Sequence, residues 1–284
     1  MFSSLMMHTW IAASVAAVIA GVTGFFAVLH GSTFAAHAIP NGSFAGAAGA
    51  TLLGLNPIIG LAAFSTAGAV GIAVLGRRTR QDVATALPFV LMLGTGALFI
   101  SWSTEYAQEA YSLLFGETFG VSSDQVLPIV GIGAACALLF AVLFRPLMMT
   151  SALPEVAAAR GLPPARVELA FLVVMALATT MTVPIVGALL IFSLMIGPAA
   201  AARTVTSNPV LAIGLSVVLA LVSVWVGIAV SYHTSWPLGF YVAAMGAGFY
   251  LLGRAWSWLA SRRPLWRLVS HDARSMQTRV TRSR

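Results

Sequence analysis

The chain has 284 residues, 59% of them hydrophobic and only 8% charged, with a mean hydropathy of +0.94. Soluble domains carry about 25% charged residues, and a water-soluble fold of this length cannot cover so much apolar surface, so the solvent is lipid. The net charge of +7 rests on fifteen basic residues that are all Arg; a P-loop needs a Lys on the phosphates, which excludes a P-loop ATPase from this chain.

A membrane span takes about 20 predominantly apolar residues. In chain order, such stretches fall near 10–29, 33–53, 57–75, 83–102, 126–144, 166–182, 184–202, 209–232 and 237–252. No basic residue precedes the first, so it reads as a span rather than a cleaved leader. The expected fold is an all-α integral membrane protein, a polytopic bundle of about nine helices, with short separations bounding the count at eight to ten. Residues 1–254 form the transmembrane domain and 255–284 a basic juxtamembrane tail.

Arginine placement orients the bundle. Arg77, Arg78 and Arg80 follow the third stretch, Arg145 ends the fifth, Arg203 ends the seventh and Arg254 follows the ninth. Each lies at the end of an odd-numbered segment, which under the positive-inside rule puts the N-terminus outside and the C-terminus in the cytoplasm. In a bacterium this is the cytoplasmic membrane. Glu105, Glu109, Glu117 and Asp124 share one expected external loop, as solvated acids, as a docking surface for a solute-binding partner or as a weak field for cations. The tail interleaves Arg with Trp256, Trp258 and Trp266. Directly after a span, that pattern anchors to anionic lipid rather than to nucleic acid.

Few side chains inside the spans can carry chemistry. Cys136 sits in an apolar run as a small hydrophobe, and one Cys builds neither a disulfide nor a metal cluster. His8, His30, His233 and His271 fall at segment ends or in the tail, and Glu168 at the start of the sixth segment can reach the interface. Only His37 is committed to the interior, where an ionisable residue marks a functional site by default. Thr33, His37 and Asn41 recur every four residues and share one helix face. Pro40 interrupts the helical hydrogen bonds beside them, while Gly42, Gly46 and Ala50 form a small-residue packing row. Two readings stand: a hydroxyl, an imidazole and an amide lining a cation path, or a His making one interhelical hydrogen bond. On the cytoplasmic side, residues 154–161 describe a short self-capped helix. Pro154 suits its first position, Glu155 its positive end and Gly161 its stop.

These residues resemble the permease subunits of ATP-binding-cassette importers of zinc, manganese and iron. The likeness is carried by His37, Ala38 and Pro40; by Leu114, Phe115 and Gly116; and by Pro154, Glu155, Ala157 and Gly161. It continues through Val186, Gly187, Leu189, Leu190, Pro198, Ala199, Ala200 and Arg203, and ends in Ser231, Tyr232, Pro237 and Gly239. The resemblance implies a second permease copy or paralogue, a cytoplasmic ATPase carrying the ATP, and an extracytoplasmic metal-binding protein. It implies no permanently bound cofactor, a transported divalent metal ion and alternating access. His37, Thr33 and Asn41 become pathway candidates, and Pro154, Glu155, Ala157 and Gly161 the element that seats on the ATPase. Two positions depart from the family: Thr33 stands where an Asp is usual, and Leu153 where an Asp precedes the Pro-Glu pair. A gradient-driven cation carrier would need coupling acids at mid-membrane, and a non-transporting scaffold would need no pathway residues.

Overall fold

Long apolar stretches punctuated by Gly, Pro and Asn fold into ten helices in a computed structural model that describes residues 4–102, 114, 123–188, 190–234 and 236–261. In chain order they are α1 (Ser4–His30), α2 (Thr33–Leu52), α3 (Pro57–Gly76), α4 (Gln81–Trp102) and α5 (Ser123–Ala152). The short α6 (Pro154–Ala159) follows, then α7 (Pro164–Val186), α8 (Ile191–Val205), α9 (Pro209–Thr234) and α10 (Leu238–Ser261). Local chemistry sets several starts. Pro57 opens α3 behind Asn56, whose side chain accepts from the Ile58 N–H at 2.9 Å, an N-cap that satisfies one of the unpaired donors of the first turn.

Seven of these helices are long and apolar enough to cross a bilayer, and the protein is a multi-pass membrane protein. The two remaining expected spans are α2 and α8. Helix α2 is rich in Ala, Gly and polar residues, yet it is enclosed: residues 35–50 are buried apart from His37. A helix surrounded by protein needs no lipid-facing apolar coat, so hydropathy underrates it. Helix α8 has 15 residues, about 22 Å of rise against roughly 30 Å of hydrocarbon.

The helices pack around α1 and α2. α1 runs against α5, α7, α8 and α9; α2 lies on α3, α4, α7 and α8; α10 covers α8 and α9. Phe26 of α1 anchors the α5 side, stacked on Phe140 at 5.7 Å and edge-on to Phe171 of α7 at 6.5 Å. Small residues set the α2–α3 approach: a Cβ on Gly46 would strike the Gly60 carbonyl, and one on Gly60 the Gly46 carbonyl. Without a hydrophobic force between helices in lipid, such backbone-to-backbone contact is a main source of cohesion.

Two boundaries differ from the sequence expectation. The break between the sixth and seventh stretches falls at Gly187, not before Pro184, because Pro184 is accommodated inside the last turn of α7. Gly187 then ends the helix with φ 93°, a conformation L side chains avoid, and its N–H closes on Val183 O at 2.8 Å. The polar stretch after Arg145 is also helical and forms the last two turns of α5, with Pro146 inside the helix. Glu105, Glu109, Glu117, Phe115, Gly116, Leu189 and the tail beyond 261 lie outside the described residues.

Candidate cation path and coupling element

Thr33, His37 and Asn41 occupy one face of α2, each about 6 Å along the axis from the next. Thr33 is the first helical residue and half-buried, while Asn41 is nearly sealed. Pro40 removes a donor from the ladder at this level. Polar side chains turn back onto the disturbed backbone: Asn41 Nδ2 donates to His37 O at 2.8 Å, and Ser43 Oγ to Pro40 O at 2.7 Å. The same Asn41 amide is 3.4 Å from His37 Nδ1. Its orientation therefore governs which ring nitrogen is left to meet an ion.

The His37 ring is half-buried between aromatic edges from two other helices. Phe89 of α4 lies 6.0 Å away at 69° and Phe192 of α8 lies 5.2 Å away at 84°. Phe34 in turn meets Phe89 at 6.4 Å. Phe192 owes its place to the buried turn at Gly187, which starts α8 beside α2. Spacing did not point to either ring, because aromatics inside spans are ordinary. Among the described residues no group of three or more His, Cys, Asp or Glu could hold a metal ion. On this face of α2 the side chains are an imidazole, a hydroxyl and an amide, all neutral donors or acceptors when the imidazole is unprotonated.

The second candidate lies apart from this face. α6 follows α5 after one residue: Leu153 N–H bonds Met149 O at 2.9 Å and Ala157 N–H bonds Leu153 O at 3.0 Å, so Leu153 closes one helix and opens the next. Leu153 offers no side-chain cap, and Pro154 takes the first position where no N–H is wanted. Gly161, at φ 72°, ends the element; its N–H bonds Ala158 O, and Leu162 N–H bonds Ala157 O, both at 3.0 Å. Ala157 is the one buried residue of α6, seated against α5 and α7. Pro154, Glu155, Val156 and Arg160 face outward. As local structure, the stripe lies on one face of α2, and the short helix expected over 154–161 spans Pro154–Ala159 with Gly161 just beyond it.

Arg203 adds a tie that the motif comparison left without a role. Its Nη1 donates to Val28 O at 3.2 Å, in the last turn of α1, where a cation complements the unpaired carbonyls of a helix end. In the last turn of α9, Ser231 Oγ donates to Trp236 O at 2.6 Å, just ahead of α10.

The ABC 3 transport family matches residues 3–257. The "Manganese transport system membrane protein MntC" of Listeria innocua is 28% identical over 217 residues, covering 76% of this chain and 77% of that one. The "Manganese import system permease protein ScaB" of Streptococcus parasanguinis is 27% identical over 240 residues, covering 83% and 84%. Among solved structures, PsaBC from Streptococcus pneumoniae in complex with Fab has a TM-score of 0.79 at 25% identity, over 88% of this chain and 91% of that one.

Proposed function

The chain belongs to the ABC 3 transport family, and from that premise we propose that it is the membrane permease of an ATP-driven importer of divalent transition-metal ions. The observation that carries the reading is the half-buried imidazole of His37 on a helix otherwise enclosed by protein. The cargo class follows from relatives named for manganese, and the neutral ligand set suits them. Mn²⁺ stands at the bottom of the divalent affinity order, so one imidazole with a hydroxyl and an amide holds it briefly and lets it go.

The mechanism is alternating access. An extracytoplasmic binding protein releases the ion between two permease copies, and a separate ATPase supplies ATP hydrolysis. The outward face of α6, with Pro154, Glu155, Ala157 and Gly161 shaping it, seats on that ATPase. Binding of ATP moves α6 and changes which side of the bundle is open. Thr33, His37 and Asn41 line the route the ion takes, with the Phe89 and Phe192 edges narrowing it. In this reading the N-terminus lies outside and the C-terminus in the cytoplasm, the orientation that the arginine placement supports.

The test is reconstitution in liposomes with the neighbouring ATPase and binding protein. The expected result is Mn²⁺ uptake that requires ATP, falls by about tenfold or more in His37→Ala, and keeps ATPase association. Uptake by the chain alone on an ion gradient would replace this reading with a secondary carrier. Assembly without uptake of any divalent ion would leave a scaffold.

A further inference from the structure

Two sets of polar contacts hold the α1–α2 turn against the helices on either side of the coupling element. His30, the last residue of α1, is half-buried and stacks on Phe171 of α7 with centroids 5.5 Å apart at 23°. Ser151 Oγ of α5 lies 2.7 Å from its Nδ1 and 3.0 Å from its Nε2, and Thr150 Oγ1 lies 3.3 Å from Nε2. Both hydroxyls also point at backbone carbonyls, Ser151 at Leu147 O (2.8 Å) and Thr150 at Pro146 O (2.9 Å). A neutral imidazole carries one N–H, so one ring nitrogen donates and the other accepts, and the tautomer decides which role each plays toward the Ser151 and Thr150 hydroxyls. On the other side, Gln81 Nε2 at the start of α4 donates to Ser32 Oγ at 3.3 Å and to Glu168 Oε1 of α7 at 3.2 Å.

The positions of these contacts along the chain matter. Ser151 lies three residues before Pro154, and His30 lies three residues before Thr33. Because Leu153 alone separates the two helices, with its N–H bonded to Met149 O and its carbonyl to the Ala157 N–H, α6 is tied directly to the last turn of α5. That turn holds His30, and His30 begins the two-residue link to α2. The Gln81 contacts close the same ring from the α7 side.

We propose that His30 is a positioning residue that passes movement of α6 to the His37-bearing helix, with Ser151 as its partner. The proposal rests on the importer reading. The probe is the number of Mn²⁺ ions moved per ATP hydrolysed, in liposomes holding the permease with its ATPase and binding protein. His30→Phe keeps a ring over Phe171 and removes both ring nitrogens; Ser151→Ala removes the hydroxyl they meet with little change of volume. Both should lower the ratio by roughly two- to thirtyfold while ATP hydrolysis persists, and His30→Gln, whose amide offers both a donor and an acceptor, should recover most of it. An unchanged ratio in Ser151→Ala and His30→Phe, with only a lower melting temperature, would reduce the contact to structural support and overturn the proposal. A wild-type complex that shows no metal-stimulated ATP hydrolysis would instead overturn the importer reading beneath it. If His30→Phe fails to assemble, Ser151→Ala alone decides the matter.

Discussion

At the residue scale, the feature that organises the proposed path is the pairing of His37 with Asn41, one turn apart beside a proline. Asn41→Leu removes an amide that bonds the His37 carbonyl and faces its ring. It should cost about 1–2 kcal/mol of stability and lower Mn²⁺ uptake further by freeing the imidazole to turn; thermal melting and uptake on the same preparation separate the two effects. Thr33→Asp tests the departure from the family's usual acid. A carboxylate on this face adds a hard, charged oxygen, so Mn²⁺ should bind more tightly and leave more slowly, read as higher affinity with lower maximal uptake. His37 was legible in the sequence because an ionisable side chain inside a span has few innocent explanations. His30 was not, because a His at a helix end is normally solvated; only the fold reveals that Phe171, Thr150 and Ser151 converge on it from α7 and α5.

At the element scale, helix positions were legible wherever apolar length and basic flanks coincide, as in α3, α4 and α9. The α7–α8 break was not. Pro184 is the strongest local breaker, yet one lost backbone bond near a helix end is cheap, and Gly187 supplies the actual stop. Gly187→Ala should strain that turn by about 1–2 kcal/mol and displace Phe192 from His37, visible as loss of uptake larger than loss of stability. The α2–α3 contact makes a different prediction. Gly46→Ala places a methyl against the Gly60 carbonyl and should destabilise the bundle by about 1–3 kcal/mol, measured as a fall in melting temperature in detergent. The outward face of α6 was legible through Pro154 and Gly161, since cap and stop signals need no tertiary context.

At the scale of the whole molecule, α1 and α2 form the enclosed centre of the bundle, and α2 carries the proposed path. What sequence could not state is depth of burial: α2 is among the least apolar of the long helices and among the most enclosed. Its Ala and Gly residues serve close packing, so composition alone blurs a buried span into a poor one. The solitary thiol of the chain also belongs to this scale. Cys136 on α5 is fully buried in the bundle core. A membrane-impermeant maleimide therefore finds no native target, and the unmodified protein is already a blank for sidedness mapping. A cysteine placed at exposed Leu53 should label on intact cells, and one at exposed Arg78 only after the membrane is opened. The reverse pattern would invert the bundle, and with it the side on which α6 waits for its partner.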